Sequence, residues 1–429
     1  MMMDAWFIRR YRHLKETVRA FLPAPIFELL YNRAWRLYIA ENMGQLAKVK
    51  ISPPSQGHPP GVNLIGDINS GSGLGESCRI LAEALRSTRE KLAVLPFDGM
   101  TSSERTAEGG RAETPGPVYD INITHLAPHQ LNSALKQFGR EAWDGRYNIA
   151  FWLWELEKFP AAWRPAFGLF NEIWTPAEFI SRAIRKETDL PILTMPYAVA
   201  PRVRPEHDRR YFRLPEDCFL ALAVADARSV LERKNPLGAV EAFIQAFPQS
   251  EGRKAGLVLK LHNTPRLFRQ KLEKMLAGYS IYFLENQLTK EEFNGLLKSV
   301  DVFLSPHRAE GFGLVLAEAM YLGTPCIATN WSANTEFMTP ETALLLDYKL
   351  VKIGRNLGPY PKEGRWAKPD IAQAAAGLKR LADEPAFSQA ISEAAARHIR
   401  ANLNYETLAA KIDQRLRRIR ASSGLNGRP

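Results

Sequence analysis

Glu310 and Glu318 stand eight residues apart in SPHRAEGFGLVLAEAMYLGTPCIATNW, a stretch that comes after the apolar run VDVFL. Between them Gly311, Phe312, Gly313 and Leu314 open a helix. Small residues at 311 and 313 let a ligand approach the amides at its N-terminus, a ready anion site. A carboxylate just ahead of such a site would repel phosphate. Glu310 therefore makes sense only if it faces hydrogen-bond donors such as sugar hydroxyls. Glu318, about two turns on, can reach the same mouth and take a ribose diol. The competing interpretation is a plain strand–loop–helix crossover with a solvated glutamate.

Two further segments carry candidate chemistry. In AVADARSVLERKNPLGAVEAFIQAF, Arg228 and Lys234 lie in a strand-to-helix loop beside Arg233, just before a helix that starts near Asn235-Pro236. Two cations there suit a diphosphate leaving group, on which charge develops as a sugar bond breaks. A solvated charge run is the alternative. In GVNLIGDINSGSGLGESCRILAEAL, Gly66, Gly71, Gly73 and Gly75 make a turn after the first strand. The spacing breaks the dinucleotide fingerprint, although Asp98 sits near the end of the next strand. A loop reaching the reacting centre from an opposing domain is the better interpretation.

These loops need a scaffold, and the rest of the chain supplies its pattern. From about residue 61, the apolar runs VNLIGDI, KLAVLPFD, YDINITHL, YNIAFWLW, EIWTPAE and ILTMPYAV alternate with helical patterns. After the polar stretch PRVRPEHDRRYFRLPED the alternation restarts with FLALAVAD, GLVLKLHN, SIYFLEN, VDVFLSPH, TPCIATNW and ALLLDY. Near-continuous apolar strands separated by helices indicate parallel sheets covered on both faces. The expected class is α/β, with two Rossmann-like doubly wound domains facing a cleft and ligands beyond the carboxyl ends of the strands. Expected boundaries are a basic helical extension over 1–55, a first domain over 56–205, a second over 206–385, and helices over 386–429 that pack back toward the first domain.

The three segments together resemble the retaining glycosyltransferases of family 4, which have the GT-B fold. The E-x7-E pattern is Glu310 to Glu318, and the Arg-then-Lys pair is Arg228 and Lys234. The likeness sharpens toward a bacterial subgroup through GSGLGE, WLWELEKFPAAW (Trp152 to Trp163), RKNP (Arg233 to Pro236) and YPKEGRWAKPD, and covers roughly residues 61–400. The resemblance implies that Arg228 and Lys234 hold a donor diphosphate, Glu318 the nucleotide ribose, and Glu310 the donor sugar, with the 311–315 amides completing the pocket. It also implies that His125 presents its ring to the donor sugar, against the alternative of a buried, hydrogen-bonded histidine. Ala127 and His129 depart from the subgroup's pattern, which puts sugar or acceptor choice in question. Trp152, Trp154, Glu155 and Glu157 come after the fourth strand and could stack on and hydrogen-bond a carbohydrate acceptor; an aromatic core cluster is the alternative. Gly73, Gly75, Trp154 and Glu155 are thus the expected acceptor side of the cleft.

The resemblance further implies sugar transfer from a nucleotide-diphosphate donor to a glycan or lipid-linked acceptor, with retention, as in bacterial surface polysaccharide synthesis. No Asp-x-Asp pair occurs, so no metal cofactor is expected. A glycosidase needs two carboxylates flanking one bond, and a nucleotide-type crossover disfavours it. An inert nucleotide-sugar or glycan-binding protein is the rival from another class, and an intact Glu310, Glu318, Arg228 and Lys234 argue against decay.

Bulk composition narrows the partners. The net charge is +11, with 24% charged and 45% apolar residues, as in a globular protein. No basic stripe interleaved with aromatics marks a nucleic-acid interface. Nine Lys/Arg against four Asp/Glu in residues 1–50, mixed with large apolar side chains, suit an anionic membrane surface. Three scattered cysteines argue against disulfides and, with no clean signal peptide or long apolar run, for the cytoplasm, with peripheral attachment to the inner face of the cell membrane.

Overall fold

The computed structural model describes residues 24–98, 116–249 and 252–422. The first 23 residues, on which part of the basic extension falls, lie outside it. So do the side chains of Ala24, Pro25, Phe27, Glu28, Leu29 and Arg228.

The chain enters through helix α1 (Ala24–Leu46), which buries Ile39, Met43 and Leu46 against the first domain. That domain is a six-stranded sheet of β1 (Val62–Gly66), β2 (Leu92–Pro96), β3 (Ile121–His125), β4 (Tyr147–Phe151), β5 (Glu172–Thr175) and β6 (Ile192–Thr194), all parallel in the order β2-β1-β3-β4-β5-β6. Between them run α2 (Gly73–Arg86), α3 (Leu131–Phe138) and α4 (Glu178–Ile184). The strand order reverses between β1 and β3, where Gly66 stands in register with His125. A crevice opens outside the carboxyl ends of strands at such a reversal, so the glycine-rich loop begins at its edge.

The second domain repeats the design with β7 (Phe219–Asp226), β8 (Ala255–His262), β9 (Ser280–Leu284), β10 (Val302–Ser305), β11 (Cys326–Thr329) and β12 (Leu344–Leu346), parallel in the order β12-β11-β10-β7-β8-β9. Its helices are α5 (Pro236–Ala246), α6 (Arg266–Met275), α7 (Lys290–Ser299) and α8 (Leu314–Leu322). Its reversal lies between β7 and β10, the strands that precede the Arg-Lys loop and the Glu310 loop. Both central strands are apolar almost throughout because helices cover both faces.

An antiparallel ribbon of β13 (Tyr348–Lys352) and β14 (Arg365–Pro369) comes next; the sequence marked this stretch only as a motif. Helix α9 (Ile371–Asp383) packs on α5, and α10 (Pro385–Asn402) lies on α8 within the second domain. Only α11 (Tyr405–Ser422) returns to the first domain, against α2. Arginines of the basic QRLRRIR end hold it there. Arg420 donates to Glu90 Oε1 at 2.6 Å and to Asp120 Oδ2 at 3.0 Å, and Arg415 donates to the fully buried Glu172 at 3.0 and 3.1 Å. Among the described residues, no helix is long and apolar enough to cross a membrane, and Cys78, Cys218 and Cys326 are free thiols.

Candidate active site

Asn235 and Gly313 set the geometry of the two donor-side loops. Asn235 adopts a left-handed backbone (φ 55°), accepts from the Gly238 amide at 3.3 Å to cap α5, and donates to the Pro306 carbonyl at 2.8 Å. The RKNP loop is thereby fastened to the strand that leads into the Glu310 loop. Gly313 (φ 91°) turns the chain into α8, a conformation that side-chain-bearing residues adopt only with strain. The first-turn amides of α8, Leu314 to Leu316, have no intrahelical acceptor and form an electropositive edge.

The charged residues converge there. Lys234 donates to Glu310 Oε1 at 2.5 Å. Arg233, 5% exposed, lies 3.5 Å from the same oxygen and donates to the Ala309 carbonyl at 2.9 Å. Ser332 accepts from the Glu310 amide at 2.8 Å. Burial alone would push the Glu310 carboxyl up, but Lys234, Arg233 and the nearby His307 outweigh it and hold it down at about 2. Glu310 is therefore an anion at any physiological pH. Arg228 sits on the 3-10 turn Ala227–Ser229 after β7; its side chain lies outside the described residues.

Glu318, on α8, is 3% exposed. Its Oε1 accepts from Lys290, while Oε2 is buried and finds no hydrogen-bond partner in the protein. Burial pushes this carboxyl above its ordinary value, with Lys290 opposing and Glu76 reinforcing the shift. An unsatisfied buried acceptor is costly unless a ligand supplies the donor.

The first domain meets this face directly. A methyl group placed on Gly311 would sit 3.3 Å from the Trp154 carbonyl oxygen and 3.6 Å from Glu155 Cγ. Glycine suits this approach, since a side chain here would crowd the Trp154 carbonyl. Glu155 also lies against the buried hydroxyl of Tyr360 and near Arg233. Trp154 itself does not line the cleft. It is 2% exposed, packs on Trp163, Phe159 and Tyr360 at 5.2 to 6.1 Å between ring centroids, and donates to the Lys158 carbonyl at 2.7 Å. Strand β4 ends at Phe151, and Trp152 just beyond it is likewise core, so the aromatic cluster is the alternative that the packing bears out for both indoles. Phe312 is also core, packed on Tyr197 and Phe337 at 4.9 and 5.2 Å.

His125 is fully buried. Its Nε2 lies 2.7 Å from Ser77 Oγ in α2, and its ring stacks on Phe151 at 4.9 Å. Burial lowers its pKa to about 4, so the ring is neutral. The ring is held within the first domain against Ser77, as in the alternative of a buried, hydrogen-bonded histidine, while its Nδ1 has no partner in the protein. In that loop Gly75 is required for space, since a side chain would meet the Ser70 carbonyl at 2.1 Å, whereas Gly73 is open. Ser72 caps α2 by accepting from the Gly75 amide at 3.2 Å.

Sequence reasoning gave Arg233 only a place beside the pair and missed Ser332, Tyr360, Lys290 and Glu76 as site residues. One signal was available for Lys290. Thr289-Lys-Glu-Glu292 is a capping box, with Thr289 Oγ1 accepting from the Glu292 amide at 3.2 Å, and it places Lys290 at the first helical position.

Comparison with known proteins places part of the chain beside glycosyl transferases. Residues 231–351 match the family model of the glycosyl transferases group 1, the span that carries Lys234, Glu310 and Glu318. The chain is 35% identical over 79 residues to a GDP-mannose-dependent alpha-(1-6)-phosphatidylinositol dimannoside mannosyltransferase of Mycobacterium tuberculosis. It is 31% identical over 126 residues to the O-antigen biosynthesis glycosyltransferase WclY of Escherichia coli. These matches cover 18% and 28% of this chain and span only 21% and 31% of those relatives' lengths. Among solved structures, the sucrose-phosphate synthase of Thermosynechococcus elongatus superposes with a TM-score of 0.61 at 16% identity, covering 86% of this chain and 100% of that one. HepE of Anabaena, solved with UDP-glucose, gives 0.60 at 12% identity, covering 84% and 100%. The chain therefore has the GT-B fold, and residues 231–351 within it match the group 1 glycosyl transferase model.

Proposed function

We propose that this protein is a retaining glycosyltransferase that moves a sugar from a nucleotide-diphosphate donor to a glycan or lipid-linked acceptor, in the synthesis of a surface polysaccharide. The observation that carries this reading is the pair of carboxylates on one helix edge. Glu310 is ionised and held by Lys234 and Arg233, and Glu318 keeps a buried, unpartnered oxygen two turns away. The nucleotide ribose donates to Glu318 Oε2, and the diphosphate takes Lys234, Arg228 and the first-turn amides of α8. The donor sugar's hydroxyls donate to Glu310.

In this scheme the bond from the anomeric carbon to the phosphate oxygen breaks as positive charge on the protein stabilises the departing diphosphate. The acceptor hydroxyl attacks from the same face, its oxygen bonds the anomeric carbon, and its proton passes to the departing phosphate. Neither a protein nucleophile nor a metal ion is invoked, because the cations and amides carry the charge. Glu155 and the backbone of the Trp154 loop form the acceptor side. The position of His125 makes it a positioning residue for α2 and the glycine-rich loop. The outward face of α1 holds the enzyme against an anionic membrane, where a lipid-linked acceptor would be found.

A thermal-shift panel with UDP, GDP, ADP and CDP tests the donor site. A ligand at about 100 times its Kd should stabilise by ~2.7 kcal/mol. The matching nucleotide sugar should then release nucleotide in the presence of acceptor, with the product's anomeric configuration read by NMR. Stabilisation by none of the four, or an inverted product, would sink this reading.

A further inference from the structure

Lys290 opens α7, and its ammonium joins two carboxylates that belong to different domains. It donates to Glu318 Oε1 on α8 and lies 3.5 Å from Glu76 Oε1 in the first turn of α2. The other oxygen of Glu76 accepts from Arg79 at 2.8 Å. Arg79 in turn donates to the carbonyls of Ile68 at 2.8 Å and Ser70 at 2.9 Å, inside the glycine-rich loop. A continuous polar chain thus runs from Glu318, in the second domain, to the glycine-rich loop of the first.

Charge defines what the lysine does in that chain. Glu318 and Glu76 carry the same sign across a domain interface, and without a counter-ion they repel one another. Lys290 neutralises the pair. It also occupies only one oxygen of Glu318, so the buried second oxygen stays open to an incoming hydroxyl. Tyr405, on α11, lies near both carboxylates and also near Glu83 and Arg202.

We propose that Lys290 is a positioning residue that ties the two domains together at Glu318 and Glu76, so that nucleotide binding and seating of the glycine-rich loop are one coupled event. The proposal rests on the donor-site reading of Glu318 given above. A nucleotide that grips Glu318 gains from Lys290 twice: the carboxylate is kept oriented, and the loop that faces it from the first domain is held in place.

The test uses the full-length protein and the variants Lys290→Met, Lys290→Arg, Glu76→Gln and the double variant Lys290→Met/Glu76→Gln. Each is titrated calorimetrically with UDP, GDP, ADP and CDP, and its radius of gyration is measured by small-angle scattering without nucleotide. Lys290→Met should weaken binding of the preferred nucleotide by ~10- to 100-fold, as expected for loss of a charge-assisted hydrogen bond. It should also enlarge the radius of gyration, and Lys290→Arg should restore most of both. Glu76→Gln should enlarge the radius with a smaller loss of affinity, because Lys290 remains on Glu318. Since the lysine acts through both partners, the double variant should bind no worse than Lys290→Met alone. Wild-type affinity or a wild-type radius in Lys290→Met overturns the proposal, as do additive losses in the double variant. If Lys290→Met does not fold, Glu76→Gln decides, and an unchanged radius of gyration for it is fatal. Failure of the wild-type chain to bind any of the four nucleotides sinks the donor-site reading, and the coupling with it. Binding that the variants leave unaltered sinks the coupling alone.

Discussion

Lys234 Nζ lies 2.5 Å from Glu310 Oε1, so the cation proposed for a diphosphate and the anion proposed for a sugar are each other's partner within the protein. Arg233 stands behind them at 3.5 Å and stays with Glu310 if the lysine turns toward phosphate. The arrangement keeps a buried carboxylate compensated in both states, which a single lysine could not do.

The first expectation comes from that pairing. Lys234→Ala should weaken binding of the preferred nucleoside diphosphate by ~10- to 100-fold, the loss of one charge-assisted hydrogen bond. Because Glu310 also loses a partner, the double variant Lys234→Ala/Glu310→Gln should cost less than the sum of the two single changes. Calorimetric titration of all four proteins closes the cycle, and strictly additive losses would mean that the pair does not act as a unit.

Acid stability gives a second expectation. The Glu310 carboxyl is held at about 2, below its ordinary 4.5. Its contribution is therefore fully present above about pH 4.5 and is lost as pH falls toward about 2. A depression of this size corresponds to roughly 3 kcal/mol. Between about pH 5 and about pH 3, wild type should lose more stability in urea titrations than Glu310→Gln, whose neutral side chain does not titrate. Parallel acid limbs for the two proteins would contradict the assignment.

Much of this architecture could be read before any coordinates. Runs such as FLALAVAD and GLVLKLHN are buried on both faces, so their composition alone marks them as central strands, and they became β7 and β8. Glu310 and Glu318 were legible because both flank one helix start, where local spacing decides what is near. Trp154 was not. An aromatic that comes after a strand can stack on a sugar or fill the core, and only the packing shows that this indole turned inward. Lys290 and Glu76 were hidden for a different reason. They are 214 positions apart in sequence and meet only because two separately folded sheets face one another. The β13–β14 ribbon was missed because its short, half-exposed strands lack the continuous apolar run that identified the others.

A third expectation separates the roles of the two carboxylates. Glu318→Gln should chiefly raise the donor KM, because ribose is held alike in ground and transition states. Glu310→Gln should chiefly lower kcat, because its proposed partner is the sugar whose charge changes during transfer. Steady-state kinetics with the donor found in the nucleotide panel would decide it. Equal effects on both parameters in both variants would remove this division.

The fourth concerns the returning C-terminal helix. Glu172 is fully buried and accepts from Tyr147 at 3.1 Å and from Arg415 at 3.0 and 3.1 Å. Arg415→Met would strand a buried carboxylate, at a cost of ~3–5 kcal/mol. Adding Glu172→Gln should recover much of the loss, since no charge is then left uncompensated. Urea unfolding of the single and double variants tests this; equal destabilisation would show that the arginine stem, not its charge, holds α11 in place.

The last expectation concerns the exposed face of α1 and its proposed attachment to a membrane. Ile26, Leu30 and Leu37 are 48%, 51% and 64% exposed, and at 100° per residue they fall within one narrow stripe, with Arg33 on the same stripe and Arg36 beside it. The opposite face buries Ile39, Met43 and Leu46, and Asn32 donates to the Asn356 carbonyl at 2.7 Å, so the helix is fixed to the body of the protein. Removing residues 1–50 would therefore tear the core and could not isolate a surface effect. Replacing Ile26, Leu30 and Leu37 together by glutamate changes only the exposed stripe. Apolar burial and attraction to anionic lipid, ~1 kcal/mol per basic residue, should act together in the wild type. Wild type should co-sediment with vesicles containing phosphatidylglycerol but not with pure phosphatidylcholine vesicles, and less so at high salt, where screening shortens the attraction. The triple variant should stay in the supernatant while keeping wild-type nucleotide affinity. Equal, salt-insensitive partitioning of the two proteins would show that α1 is a packing element whose outer face is simply solvated.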